Sequence, residues 1–170
     1  MPELIIMRHA KSDWNSYESD FNRGLNNRGY KNCQIISHEL KKLINIPGKF
    51  LVSPAKRAQL TFEEIFFSWF KDNQLSNFLE IEDELYGGSI KKIIESMKRN
   101  FSGIETCVVI GHNPILNELL HNISSFNKNL IPNNLVTCGC IKINYKNYFY
   151  DQNNFIDGSV SEYIYPKKFT

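Results

Sequence analysis

The stretch Leu4-Ile5-Ile6-Met7-Arg8-His9-Ala10-Lys11 decides how this chain is read. A short, unbroken apolar run reads as a buried strand. This one stops by handing an arginine and a histidine to whatever lies beyond its carboxyl end. The arrangement recurs where Cys107-Val108-Val109-Ile110 delivers Gly111-His112-Asn113-Pro114. Two strands that each end in a histidine, one of them beside an arginine, point to a shared site above the edge of a parallel sheet. Ligands of open α/β sheets bind outside the carboxyl ends of the strands.

Working outward, strand and helix signals alternate, as expected of a parallel sheet with helices on its faces. Strands are predicted at Leu4–Met7, Phe50–Val52, Phe78–Ile81 and Cys107–Ile110. Helix one is predicted from about Asn27 to Ile44, with Tyr30, Cys33, Ile36, Leu40, Leu43 and Ile44 on its inner face. Ser53-Pro54 reads as an N-cap and first helical proline, followed by the stripe Phe62, Ile65, Phe66, Trp69, Phe70, with Phe67 off it. After the turn Tyr86-Gly87-Gly88, Ser89 is expected to cap a helix burying Ile90, Ile93, Ile94 and Met97. Asn113-Pro114 is expected to cap a fourth helix burying Ile115, Leu116, Leu119, Leu120 and Ile123. Beyond Pro132, alternation of Gly139, Ile141, Ile143 and Tyr145 against Cys140, Lys142 and Asn144 predicts a strand with one face less buried. The tail from Lys146 onward is aromatic-rich and reads as a hairpin; its aromatics serve either an interface or packing on the sheet edge. The connection Lys11–Leu25 is polar and aperiodic, and connections of that length inside a compact domain are usually functional or disordered.

The 170 residues are expected to form one domain, with no linker or repeat. Hydrophobic content of 42% and charged content of 22% are ordinary for a soluble globular protein. A net charge of +2 argues against nucleic acid or an acidic membrane surface as partner. No apolar run reaches the length of a membrane span, and no secretory leader precedes the first strand; the expectation is a cytoplasmic protein. Cys33, Cys107, Cys138 and Cys140 are scattered, which fits reduced thiols better than a disulfide framework.

Arg8, His9, Arg57 and His112 all fall where strands end and helices begin. Guanidinium forks match phosphate oxygens, and helix N-termini add unpaired N–H groups. A phosphate dianion is the natural guest. A neutral imidazole aimed in line is a good nucleophile toward phosphorus. One histidine would attack while the other, with the arginines, stabilises the equatorial oxygens; no metal and no cofactor is called for. Each residue alone has a plainer reading as a cap or a surface side chain, and it is the coincidence of all four that carries weight. Lys11, Ser12, Arg23 and Asn113 lie where they could touch substrate, although solvated loop residues and a helix cap are the default. His38 and His121 sit on polar helix faces and read as solvated. Cys138-x-Cys140 puts both thiols on one face of a strand, a weak metal signal without a second pair.

These motifs resemble the histidine phosphatase superfamily, and within it the phosphohistidine phosphatase branch of the SixA type. Arg8-His9-Ala10-Lys11-Ser12 matches the family's RHG/RHA signature. Asp20-Phe21-Asn22-Arg23-Gly24-Leu25-Asn26-Asn27-Arg28-Gly29, the Ser53-Pro54-Ala55-Lys56-Arg57-Ala58 segment through Thr61, Glu84-Leu85-Tyr86 and Gly111-His112-Asn113-Pro114 match further segments in order. The resemblance implies a three-layer α/β/α sandwich with a mainly parallel central sheet, phosphoglycerate mutase-like. It implies that His9 is phosphorylated and that Arg8, Arg57 and His112 complete the phosphate pocket. In the wider superfamily a carboxylic acid protonates the leaving oxygen; Glu84 is the candidate general acid, though it reads equally as a solvated residue before a turn. An imidazole leaving from a phosphoramidate can already carry its proton, so it needs such an acid less than an alkoxide does. Gly24 in place of the usual proline gives the loop more freedom, and Asn22 in place of an aspartate removes a charge.

The chain has no large insertion of the kind that caps small sugar phosphates in mutases, so an open pocket for a phosphorylated protein is expected. The reading that follows is a metal-independent phosphatase acting through phospho-His9 on phosphohistidine of a signalling or phosphotransfer protein. The competing readings are a phosphatase of small phosphoesters and a phosphate-binding module without turnover. Nucleic-acid binding is disfavoured by the near-neutral charge and lack of a basic stripe.

Overall fold

The computed structural model describes residues 1–71, 74–146, 149–151, 154–155 and 158–170. A six-stranded sheet runs in the order β3 (Leu79–Ile81), β2 (Lys49–Val52), β4 (Thr106–Gly111), β1 (Glu3–Arg8), β5 (Cys140–Asn144), β8 (Ser159–Ile164). Pairings among the first four are parallel; β5 pairs antiparallel with both β1 and β8. Helices α1 (Asn27–Leu43) and α2 (Lys56–Phe66) cover one face, and α3 (Ile90–Phe101) and α4 (Ile115–Ile123) the other. The layers are the α/β/α sandwich expected.

Strand β1 shows why its sequence is apolar without alternation. Leu4 and Ile6 enter the core beneath α3 and α4, while Ile5 and Met7 enter the core beneath α1 and α2. A strand covered on both faces has no polar side to display. At β5 the expected alternation is present: Ile141, Ile143 and Tyr145 are buried while Lys142 and Asn144 opposite them are partly exposed, and only Cys140 on that second face is buried as well.

Several boundaries differ from expectation. Ser53 does not cap α2: the helix begins at Lys56 with Ala55 as its N-cap, because the Ser53 hydroxyl is engaged elsewhere. The stripe continues past Phe66 only through a 3-10 turn, Phe67–Trp69. Phe78 closes another 3-10 turn, so β3 starts at Leu79. Asn113 does not cap α4, whose N-cap is Pro114. Ser89 stands at the N-cap of α3 but makes no side-chain cap bond. Cys138 lies outside β5 in the left-handed region (φ 61°), so the two thiols do not share a strand face.

The tail supplies a hairpin, β6 (Tyr150–Asp151) with β7 (Asn154–Phe155), and then β8 at the sheet edge. Of its aromatics, Phe149 is buried in the core and Tyr163 and Tyr165 are part-buried; just before it, the buried Tyr145 donates its hydroxyl to the Ile123 carbonyl at 2.8 Å. Among the described residues no helix is long and apolar enough to cross a membrane.

The long connection 11–25 is pinned at both ends. Ser12 bridges Leu25, Asp13 N–H donates to the Gly24 carbonyl, and Asn26 N–H donates to the Lys11 carbonyl. Asn26 then caps α1, its side chain accepting from Gly29 N–H at 2.9 Å. Here helix and loop meet backbone to backbone: a Cβ on Gly29 would overlap the Lys11 carbonyl oxygen. Gly29→Ala should therefore lower stability by about 1–3 kcal/mol, the usual range for overpacking a tight contact. Urea unfolding tests this, and an unchanged midpoint would mean that the loop yields without cost.

Candidate active site

The register of the sheet assembles the site. Arg8 lies opposite Gly111 across β1 and β4, and Val52 opposite Ile110 across β2 and β4. Three adjacent strands thus end level, and the next residues, His9, His112 and Ser53, share one edge. His9 N–H donates to the Gly111 carbonyl at 3.1 Å and Ser53 N–H to the Ile110 carbonyl at 2.9 Å. The two imidazoles stand 4.8 Å apart, centroid to centroid.

The hydrogen bonds define what each ring presents. His9 Nδ1 lies 2.7 Å from the Ala10 carbonyl, which can only accept, so Nδ1 carries the proton. Nε2 is left with its lone pair, and Arg57 Nε–H donates to it at 3.3 Å. The ring is held from behind: Ala10 N–H donates to Thr61 Oγ1 at 2.9 Å, and that hydroxyl donates to the Arg57 carbonyl at 2.6 Å. His112 Nε2 lies 2.8 Å from the Ser53 hydroxyl, and among the described residues its buried Nδ1 has no partner. Arg8 donates through Nη1 to the Leu135 carbonyl at 2.7 Å, and its buried Nε likewise has no partner among the described residues. Buried unpaired donors are costly, so an anion that accepts from Arg8 Nε and from a protonated His112 Nδ1 would relieve both.

One residue without an assigned role proves central. The Asp20 carboxylate accepts from Arg23 Nη2 at 2.6 Å, from Arg57 Nη2 at 3.1 Å and from the Tyr86 hydroxyl at 2.7 Å, and its carbonyl accepts from Arg57 Nη1. The Tyr86 bond first, then the arginines, hold its carboxyl below the ordinary carboxylate range. The only signal in the sequence was its place at the head of the quoted Asp20–Gly29 segment. Ser53 was missed for a different reason: serine before proline looks like a cap, and nothing local reveals a histidine 59 positions away.

Of the other expected site residues, Lys11, Ser12, Arg23 and Asn113 line the same cavity as Arg8, His9, Arg57 and His112, joined by Trp14, Asp20 and Thr137; its volume is about 250 Å³. Arg23 stacks on Trp14 at 3.6 Å and donates to Ser12 Oγ. Asn113 donates to Asn134 and to the Leu135 carbonyl, tying down the wall of the cavity. Glu84 is outside. It pairs with Lys92 at 2.9 Å and accepts from Ser89 N–H, bonds that hold its carboxyl low. The expected solvated reading of Glu84 fits this placement, and the general-acid reading does not. His38 and His121 are exposed as expected.

Burial, with His112 and the two arginines adding to it, pushes His9 down to about 3. Burial first and Arg57 second push His112 down to about 4. Both rings are neutral at pH 7. The unfolded chain protonates them near 6.5, whereas the folded protein resists until about 3 and 4. Their contribution to stability is therefore complete above the unfolded value and is lost as the pH falls below it. The loss should be on the order of 2–3 kcal/mol per pH unit for the two rings together between about pH 6 and pH 4. Urea titrations across that range check it, and a His9→Gln/His112→Gln double variant should flatten the slope.

Comparison with known proteins bears on the fold and on the first half of the chain. Residues 4–82 match the model of the histidine phosphatase superfamily (branch 1). No curated protein matches the chain in sequence. Among solved structures, the protein histidine phosphatase SixA complexed with tungstate is 21% identical, with 99% of each chain covered and a TM-score of 0.79. A SixA from Agrobacterium tumefaciens is 23% identical, with 97% of this chain and 99% of that one covered and a TM-score of 0.73. A phosphoserine phosphatase from Entamoeba histolytica in complex with 3-phosphoglyceric acid is 14% identical, with 96% of each covered and a TM-score of 0.61. Residues 4–82, which supply Arg8, His9 and Arg57, thus resemble the histidine phosphatase superfamily, and the phosphoglycerate mutase-like fold is shared over nearly the whole length of the chain.

Proposed function

We propose that the protein is a metal-independent phosphatase that works through phospho-His9, with phosphohistidine on a signalling or phosphotransfer protein as its substrate. The observation that carries the reading is a cavity rich in cations with a neutral imidazole aimed into it and, among the described residues, no carboxyl group fit to donate a proton. Asp20 is held ionised by Tyr86 and Arg57, and Glu84 is engaged with Lys92 outside the cavity. An alkoxide leaving group needs a proton donor; the imidazole of a phosphohistidine can leave already protonated.

In this mechanism Arg8, Arg57 and His112 hold the three equatorial oxygens, and Lys11, Arg23 and Asn113 border the bound group. His9 Nε2 attacks phosphorus in line, the substrate's N–P bond breaks, and the protonated imidazole departs. Water then attacks phospho-His9, releasing inorganic phosphate and restoring the neutral ring. The cations that neutralise the transferring group are side chains, so catalysis rests on positioning and electrostatic stabilisation. The SixA structure complexed with tungstate, an oxyanion, supports an oxyanion guest here. The phosphoserine phosphatase relative supports small phosphoesters as the second reading.

Phosphate release from a phosphohistidine-bearing phosphotransfer protein, measured with chelator present throughout, tests the proposal. Turnover should persist in chelator and vanish in His9→Ala. Arg57→Ala should lose roughly a thousandfold, as for other transition-state arginines. Glu84→Gln should change kcat by less than about threefold, since the residue lies outside the cavity. Release from small phosphoesters alone would move the substrate to the second reading; vanadate binding without any release would reduce the protein to a binder.

Ser53→Ala and Ser53→Thr together separate a positioning role from a structural one. In Ser53→Ala, loss of the hydroxyl frees the His112 ring, so kcat should fall about tenfold, and the part-buried Nε2 left without its partner should lower urea stability by about 1–3 kcal/mol. Ser53→Thr, which keeps the hydroxyl, should restore kcat; a rescue of stability without a rescue of kcat would make Ser53 merely structural.

A further inference from the structure

The catalytic cavity is too small to hold more than a phosphorylated side chain, and a second, larger cavity adjoins it. That neighbour has a volume of about 780 Å³ and shares Thr137 with the first. The wall between them is the segment 134–137, which the site itself holds in place: Arg8 and Asn113 donate to the Leu135 carbonyl, and Val136 N–H donates to the Tyr163 hydroxyl on the far side. The antiparallel course of β5 and β8 brings this groove to the same sheet edge, since Met7 pairs with Cys140 and Cys140 with Ile164.

The lining has a definite character. Arg28 and Lys167 stand on it, both exposed, and neither joins any ion pair or hydrogen bond among the described residues. The contrast with Lys168, which pairs with Glu162 at 2.7 Å, is plain. Tyr163 and Tyr165, with ring centroids 4.6 Å apart, form a part-buried aromatic wall. Among the described residues no Asp or Glu side chain lines the groove. Two unpaired cations beside an aromatic wall complement an acidic, extended segment: carboxylates for the cations and backbone or side-chain surface for the rings.

We propose that this groove docks an acidic stretch of the phosphoprotein substrate, next to its phosphorylated residue, and so selects which phosphoproteins are processed. The proposal rests on the phosphatase reading above. Arg28 and Lys167 lie outside the catalytic cavity, so they act on recognition and not on the chemical step.

The test uses the full chain and three substrates: a phosphohistidine peptide with Asp and Glu beside the phosphorylated residue, the same peptide with Asn and Gln in their place, and phosphoramidate. The parent should prefer the acidic peptide by roughly tenfold in kcat/KM, mostly through KM, and the preference should shrink as salt is raised. Arg28→Glu/Lys167→Glu should abolish the preference and leave phosphoramidate hydrolysis unchanged. Equal rates on the two peptides, or a parallel loss on phosphoramidate, would overturn the groove's role. Fluorescence anisotropy of the labelled peptides is measured alongside. If the parent turns over nothing yet binds the acidic peptide more tightly, with that preference lost in the double variant, the phosphatase reading fails and the docking groove stands. If neither peptide is preferred in binding or turnover, the groove is overturned whatever the activity.

Discussion

The register of β1 against β4 is the constraint on which the rest of the site depends. With Arg8 opposite Gly111, His9 and His112 emerge side by side from adjacent parallel strands. A slip of one residue would turn Arg8 and His9 to opposite faces of the sheet. What holds the register is the apolar core on both faces: Leu4 and Ile6 on one, Ile5 and Met7 on the other, all fully buried. Burial of such a side chain stabilises by roughly 1.5–3 kcal/mol, so a shifted register would forfeit several of them at once. The geometry of the site is thus a by-product of core packing a few residues away.

Gathering Arg8, Arg23, Arg57 and two histidines around one small cavity raises an electrostatic problem. The fold meets it in two ways. Desolvation keeps both imidazoles neutral, which removes two would-be charges. The Asp20 carboxylate, reached across 37 residues, gives Arg57 and Arg23 a partner. An arriving phosphate meets guanidinium groups already aligned by a carboxylate, and it finds Arg8 Nε without a partner. A cavity with some donors satisfied and others waiting is preorganised for an anion without being collapsed by its own repulsion.

Under the proposed function the two cavities divide the work of recognition. The smaller would hold the group that reacts and offers little room beyond it. The larger, with Arg28, Lys167 and the paired tyrosines, is built from α1 and from the chain's last segments. Their shared wall, residues 134–137, is tied down by Arg8 and Asn113 from one side and by Tyr163 from the other. An anion drawn to Arg8 is therefore one hydrogen bond away from the wall on which a partner would lie.

Local sequence determined a good deal. The unbroken apolar run of β1, the stripes of α3 and α4, and the strand-end positions of Arg8, His9 and His112 follow from periodicity, which depends only on near neighbours. The same residues carried the family resemblance. Long-range contacts decided what periodicity cannot encode. Ser53 looked like a helix cap until β2 and β4 brought it against His112. Asp20 was one polar residue among many in an aperiodic loop until it closed on Arg57 and Tyr86. Glu84 was a candidate acid until Lys92 claimed it. Whether the tail's aromatics faced out or in depended on Phe149 meeting Phe101 and Tyr145 and on β8 finding the free edge of β5. The sequence by itself determined which residues could do chemistry and on which strands they stand, because strand identity is a local property. Only the tertiary structure decided which hydrogen bonds those residues make, and therefore their tautomers, charges and partners, because each such bond joins segments tens of residues apart.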